Sequence, residues 1–351
     1  MTIEGTRRKS LLYMGFSLAL TIAVFVWLFF HITWRDVLEL MLAADAAYLG
    51  AFVALSLLLQ TARTFRYRMV LSAVGQPPGF FRLFLAVLVR GFCVDLLPAR
   101  TGELVYIYIL RSRLGIELGA ATASFALAFL FDVMALAPLV AGALALTGTG
   151  LAFSPGALLA GGGVLLAATA LLIAALPWGL RIAFRLAALG PARWRRGRGR
   201  VRRFLAATHR QIGRARRRGT YAPLLGLSVL VRGLKYAALY VLLLALLAPR
   251  GYSHATLPFP QAFLGLASSE MAASLPISGI GGFGAYEGAW ALVFERFGLP
   301  ADLAKKTGVS HHLLTQLWGY GIGLAALLAL WARPPAPSDR SKALALPRRP
   351  A

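Results

Sequence analysis

Residues 96–113 read LLPARTGELVYIYILRSR, and residues 275–290 read LPISGIGGFGAYEGAW. Each has a Leu-Pro, then a glycine-containing turn, then a glutamate that opens a new apolar run: Pro98, Gly102 and Glu103 in the first, Pro276, Gly284 and Glu287 in the second. Each lies between strongly hydrophobic segments. A broken helix frees backbone groups that lipid cannot satisfy, and Arg or Glu at membrane depth is costly. A chain that carries two such breaks is expected to use them, here as the two halves of one transport site.

The composition supports a membrane setting. Of 351 residues, 58% are hydrophobic and 14% charged, against about 45–50% and about 25% in an ordinary soluble domain. The formal charge of +24 suits nucleic acid in principle. The basic residues, however, sit in loops between apolar runs, without an aromatic-interleaved groove or zinc spacing, so no nucleic-acid role is expected. Cys93 is the only cysteine. It leaves no intrachain disulfide or cysteine metal site, and its place in an apolar run indicates packing. No cofactor and no metal are expected.

Apolar runs fall at about 11–30, 47–62, 83–97, 119–147, 157–178, 222–248, 261–275 and 308–331. The first follows Arg7, Arg8 and Lys9 but is longer than a ~7–15-residue signal core and has no A-x-A site after it, so it reads as an uncleaved span. Runs 83–97 and 261–275 fall short of the ~20 residues that cross a bilayer. Both end at a Leu-Pro and continue as short apolar pieces, 104–110 and 288–294. Short interrupted segments at matching places in two halves point to a transporter's binding site.

Charge sets the orientation. The N-terminus, the group Arg63, Arg66 and Arg68, the 14 arginines of 181–218 and the C-terminal tail read as cytoplasmic, and loops 31–46 and 148–156 as outside. The fold class that follows is an all-α polytopic membrane protein with six full spans and two re-entrant helical hairpins in an inverted repeat. Eight full spans are the alternative. The chain divides into an N-terminal span and outer loop (1–46), a first repeat with a hairpin entered from the cytoplasm (47–118), two spans (119–180), an Arg-rich segment (181–218), a second repeat with a hairpin entered from outside (219–300), a last span (301–333) and a disordered basic tail (334–351). RTFRY from Arg63 precedes Pro98 by 35 residues, and RGLKY from Arg232 precedes Pro276 by 44. Each repeat is thus a span bearing R-x-x-[R/K]-Y, a short apolar run, a break and a glutamate.

No acidic residue occurs from Val133 to Ser269. Asp95, Glu103, Asp132, Glu270 and Glu287 stand out against that background. A carboxylate at mid-bilayer costs about 2.5–3.5 kcal/mol on insertion scales, so these are expected to pair or to face a wet cavity. Asp95 and Glu270 also suit the hydrated interface. Arg90, Arg100, Arg111 and Arg113 are the nearby cations. Arg100 with the backbone N–H groups of residues 101–104 would form an anion site at a helix start, with Gly102 allowing close approach and Glu103 bracing Arg100 or meeting the cationic part of a head group. Phosphate is the obvious anion in a membrane.

GIGGFG at 279–284 matches G-x-G-x-x-G, but no strand precedes it and no βαβ unit surrounds it. Gly281, Gly282 and Gly284 read instead as a flexible hairpin tip. His311 and His312 point about 100° apart on a helix, which disfavours a shared metal and favours packing. Gly319 and Gly323 form a small-xxx-small pair for close helix contact. Segment 181–218 reads as an interfacial helix with Phe204, Leu205 and Ile212 on one side.

LLPARTGELVYIYILRSRLGIELGAATASFALAFLFD, followed by LPISGIGGFGAYEGAW, resembles the lysylphosphatidylglycerol synthase transmembrane-region family, the lipid-flippase part of multiple peptide resistance factor and its stand-alone relatives. Pro98, Arg100, Gly102 and Glu103 match the first family motif, Pro276, Gly281, Gly282, Gly284 and Glu287 the second, and Asp132 a following acidic position. Ala128 and Phe129 stand where many members carry Glu-Arg. The resemblance implies a protein that moves or presents lipids. Without the soluble aminoacyl-transferase domain it should not itself make lysyl-lipid. The reading favours a flippase for an anionic phospholipid or polyprenyl-phosphate-type lipid over an enzyme. A membrane glycosyltransferase acting on a lipid-linked acceptor, or a non-transporting lipid-organising protein, is the alternative. The head-group residues expected are Arg100, Gly102, Glu103, Arg90, Arg111, Asp132, Gly281, Gly282, Gly284 and Glu287, seconded by Arg63, Arg66, Arg232, Lys235 and Glu270, with Pro98 and Pro276 as breaks. Expected partners are anionic membrane lipids, with a second copy of the chain or a separate lipid-modifying enzyme as further candidates. The expected location is a bacterial inner (plasma) membrane with both termini cytoplasmic.

Overall fold

The computed structural model describes residues 33–97, 102–147, 195–274 and 280–334, with scattered helical positions between 163 and 185. The expected spans at 11–30 and most of 157–178, the basic tail, Pro98, Arg100 and Pro276 lie outside the described residues. Those described form helices and no strand: α1 (Trp34–Leu42), α2 (Ala46–Ala73), α3 (Phe80–Leu96), α4 (Gly102–Ser112), α5 (Leu118–Thr147), α6 (Arg195–Arg217), α7 (Tyr221–Leu247), α8 (Phe259–Ala273), α9 (Ala285–Arg296) and α10 (Ala301–Trp331). The protein is an all-α membrane protein. Helices α2, α5, α10 and Tyr221–Arg250 are each long and apolar enough to cross a bilayer. They keep Leu57, Leu58, Phe65, Leu317, Leu324 and Leu328 exposed, which only a lipid environment makes favourable.

Helices α3, α4, α8 and α9 have 17, 11, 15 and 12 residues. At about 1.5 Å per residue all fall short of the ~30 Å hydrocarbon core. They pack as antiparallel pairs. In the first, Gly102 lies against Cys93, where a Cβ would come within 2.2 Å of the Cys93 backbone, and Glu103 lies against Arg90. In the second, Gly282 meets Ala273, and Gly265 meets the Phe294 ring. The long helices α2 and α7 also run antiparallel: Asp45 N–H donates to the Ala245 carbonyl at 2.8 Å, and twenty-one residues further along Arg66 reaches Ser228. Helix α10 packs closely on α3, since a Cβ at Gly323 would sit 2.3 Å from Phe92 Cβ. Of the Gly319/Gly323 pair, Gly323 therefore serves the close contact expected of it.

Two expectations change. Arg63 and Arg66 do not cap the inner end of the second span, because α2 continues to Ala73 and Arg66 is only 1% exposed. A carboxylate from α5 neutralises it, so the helix can carry the charge inward. The Arg-rich α6 is amphipathic, but its buried face of Ala207, Thr208, Gln211, Ile212 and Ala215 rests on protein. A Cβ at Gly119 in α5 would lie 2.7 Å from Ala207 Cβ, and Gln211 donates to Glu117 at 3.2 Å.

Helix α1 opens with a capping box. Asp36 accepts from the Thr33 N–H and hydroxyl, both at 2.9 Å, and the Thr33 N–H above all holds its carboxyl below the usual range. A depressed carboxyl stabilises at pH above its unfolded value of about 3.9 and stops doing so as pH falls through the folded value. The protection of the α1 amides, taken relative to the free-peptide exchange rate at the same pH, is therefore expected to fall below about pH 4, and this fall should be absent in Asp36→Asn.

Candidate functional site

The charged residues that stood out in apolar sequence converge between the two short-helix pairs. Arg66 of α2 grips both oxygens of Asp132 of α5, with Nη2 donating to Oδ2 at 3.2 Å, and its Nη1 also donates to the Ser228 hydroxyl of α7 at 3.1 Å. Arg232 of α7 approaches the same carboxylate at 3.7 Å. Asp132 is thus shared by basic residues from two antiparallel helices. Arg90 of α3 and Glu103 of α4 form a two-point pair at 2.6 and 2.5 Å, the strong fork geometry of guanidinium and carboxylate. The Tyr67 ring lies 5.7 Å from the Arg66 guanidinium and 5.8 Å from that of Arg90. That distance suits cation–π attraction, and it joins the two pairs. Lys235 of α7 meets Glu270 of α8 at 2.5 Å.

The glycine tip has its own fastening. Gly281, Gly282 and Gly284 have φ of 67°, 82° and 91°, a region open to glycine but strained for other residues. Glu287, in the first turn of α9, accepts from the Gly284 N–H at 2.7 Å and meets His312 Nδ1 at 2.5 Å. His312 lies between the rings of Phe283 and Tyr286, both 4.3 Å away. Gln316, one turn on, donates to the Gly281 carbonyl at 3.1 Å. His311 points elsewhere, to the Tyr286 hydroxyl and the Leu239 carbonyl. The expected divergence of the two histidines holds, but His312 does more than fill space. Replacing Gly282 with Ala combines a left-handed φ with a Cβ 2.9 Å from Ala273 Cβ. The expected result is a loss of about 1–3 kcal/mol of stability, read as a lower midpoint of thermal unfolding in detergent.

Arg63 lies in the field of Arg66, Arg90, Arg232 and Asp132, and Asp95 in that of Lys235, Arg63, Glu270 and His312. The structure thus brings together Arg63, Arg66, Arg90, Glu103, Asp132, Arg232, Lys235, Glu270 and Glu287. It sets Arg111 apart, in a cleft of about 350 Å³ with Glu117, Arg203 and Phe204. Sequence reasoning passed over Ser228 and Gln316, and took His312 for packing alone. The i, i+4 spacing of His312 and Gln316 on one helix face was the available signal. Among the described residues no cluster of His, Cys, Asp and Glu could hold a metal ion.

No similar sequence is found among curated proteins. A family model for the lysylphosphatidylglycerol synthase TM region matches residues 14–331. That match takes in both short-helix pairs, the four long apolar helices and every ion pair between them, and so the chain belongs to the lysylphosphatidylglycerol synthase transmembrane-region family, an integral membrane family of lipid-related function.

Proposed function

We propose that this protein is a flippase that carries a phosphate-bearing lipid, an anionic phospholipid or polyprenyl-phosphate-type lipid in the first instance, between the leaflets of a bacterial plasma membrane. In this reading the α3–α4 and α8–α9 pairs are re-entrant hairpins of an inverted repeat, entered from the cytoplasm and from outside respectively. The basic helix α6 and both termini face the cytoplasm. The supporting observation is the sharing of Asp132 by Arg66 and Arg232, which ties helices of opposite direction through a charge junction deep in an apolar protein. Buried ion pairs stabilise weakly for their desolvation cost, so a cluster of them in a membrane interior suits a polar path. Glu103 and Glu287 brace the two hairpins, and Arg100, with Gly102 beside it, is the proposed phosphate contact at the first tip.

The test is lipid movement in liposomes that contain the purified protein and an acyl-labelled phospholipid. The wild-type protein is expected to accelerate bleaching of inner-leaflet label. Glu103→Gln, which strips Arg90 of its counter-ion, is expected to slow this about tenfold, as loss of a charged hydrogen bond predicts. No acceleration by the wild type with any phospholipid would overturn the reading. An unchanged rate in Glu103→Gln would remove Glu103 from the site.

A further inference from the structure

The second glycine tip is fastened by three buried side chains, Gln316, His312 and Glu287, whose hydrogens can be counted. Gln316 Nε2 donates to the Gly281 carbonyl at 3.1 Å and lies 3.0 Å from His312 Nε2. A carbonyl only accepts, so the NH2 end of the amide faces Gly281, and its second hydrogen meets His312 Nε2 as acceptor. The single hydrogen of the ring therefore sits on Nδ1, 2.5 Å from Glu287 Oε1. The other oxygen of Glu287 takes the Gly284 N–H at 2.7 Å. His312 is thus neutral while the tip is fastened. The arrangement leaves Gln316 Oε1 buried with no hydrogen-bond partner among the described residues, which is costly for an acceptor.

A second hydrogen on His312 Nε2 would point straight at the Gln316 NH2, donor against donor. Half a turn of the amide removes the conflict: Oε1 then accepts from Nε2–H and gains the partner it lacks. The same turn sets Oε1 against the Gly281 carbonyl, 3.1 Å from it in place of the donor, and two acceptors at that distance repel. Gly281, with Gly282 and Gly284 beyond it, has the left-handed backbone freedom to swing away. The charged ring is provided for. Glu287 lies at Nδ1, and the Phe283 and Tyr286 rings cover its two faces at 4.3 Å, a distance that suits a cation over an aromatic ring. The other ionisable groups on this side are His311 and Tyr320 of α10, Tyr286 of α9 and Asp95 of α3. Glu270 of α8 is held by Lys235 of α7, and Asp36 of α1 lies against Lys306, further back along α10.

We propose that His312 is a proton-binding site that works the second glycine tip as a latch: neutral, it holds the Gly281 carbonyl through Gln316, and protonated, it turns the Gln316 amide and releases the tip. The fastened form has no room for a hydrogen on Nε2, and the released form accepts one. Falling pH therefore shifts the population toward release. Imidazole is the side chain whose usual titration falls between about pH 5 and pH 8, so the latch answers to a physiological proton gradient. The latch stands on its own geometry. Its use, proton-coupled opening of the α8–α9 hairpin during lipid movement, rests on the flippase reading above.

The experiment is hydrogen–deuterium exchange of the full chain in detergent at about pH 8 and about pH 5.5, either side of the usual imidazole range, with liposome transport of an acyl-labelled phospholipid at the same two values. Protection of the amides of residues 281–288, taken relative to the free-peptide rate at each pH, is expected to fall about tenfold at the lower pH, the worth of one hydrogen bond. His312→Asn places an amide nitrogen where Nδ1 was and has no proton to gain, so its protection should not respond to pH. Gln316→Glu offers only acceptors, and its tip should be poorly protected at both values. A pH-independent tip in the wild type, an undiminished response in His312→Asn, or a tip in Gln316→Glu as well protected at the higher pH as in the wild type would overturn the proposal. A responsive tip with no transport of the labelled lipid would leave the latch standing and sink the flippase reading. Transport with an unresponsive tip would do the reverse.

Discussion

Asp132→Asn is expected to be among the most damaging single changes in the protein. It removes the carboxylate that Arg66 grips at both oxygens and that Arg232 approaches at 3.7 Å. Arg66 is 1% exposed. Breaking a buried pair from one side costs about 3–5 kcal/mol, because the remaining charge is left uncompensated. The measurable result is a sharply lower thermal midpoint in detergent and a smaller yield of monodisperse protein. The double variant Arg66→Met, Asp132→Asn should recover much of the loss, since replacing both partners by groups of similar shape is often near neutral. The coupling energy from that cycle reports the junction directly. Two losses that simply add would show that Arg66 and Asp132 do not act as a pair.

Gly102→Ala is expected to be as severe for a steric reason. A Cβ at this position would lie 2.2 Å from both the carbonyl carbon and oxygen of Cys93 and 2.3 Å from the Val94 nitrogen. These are backbone atoms inside α3, so no rotamer change relieves the clash. The α3–α4 pair must separate, and the Arg90–Glu103 pair next to it stretches. Overpacking of this kind costs about 1–3 kcal/mol where side chains can yield, and more is expected where they cannot. Gly91, in the same helix, has nothing within 4 Å of its would-be Cβ. Gly91→Ala is therefore expected to be neutral or mildly stabilising. Equal thermal midpoints for the two variants would show that the hairpin is looser than this geometry.

Much of the arrangement was legible in the chain because membrane burial makes sequence features expensive. Acids in apolar runs drew attention to Glu103, Asp132, Glu270 and Glu287, and the structure engages all four. The partners were harder to see. Four nearby arginines were candidates for Glu103, and Arg90 is one that holds it, because the antiparallel turn brings position 90 beside position 103. Arg111 looked equivalent to the other arginines by spacing. It falls at the far end of α4, about two helical turns from Glu103, beside Arg203 of α6.

By itself the sequence determined the membrane setting, the long apolar helices and the two short interrupted segments. Hydrophobic run length and the cost of Pro, Gly and charge in lipid are local properties that read directly from residues. Only the tertiary structure decided which charges meet. Asp132 is 66 residues from Arg66 and 100 from Arg232, and no local rule selects among the chain's many arginines at such separations. Helix direction and close glycine contacts set those pairings.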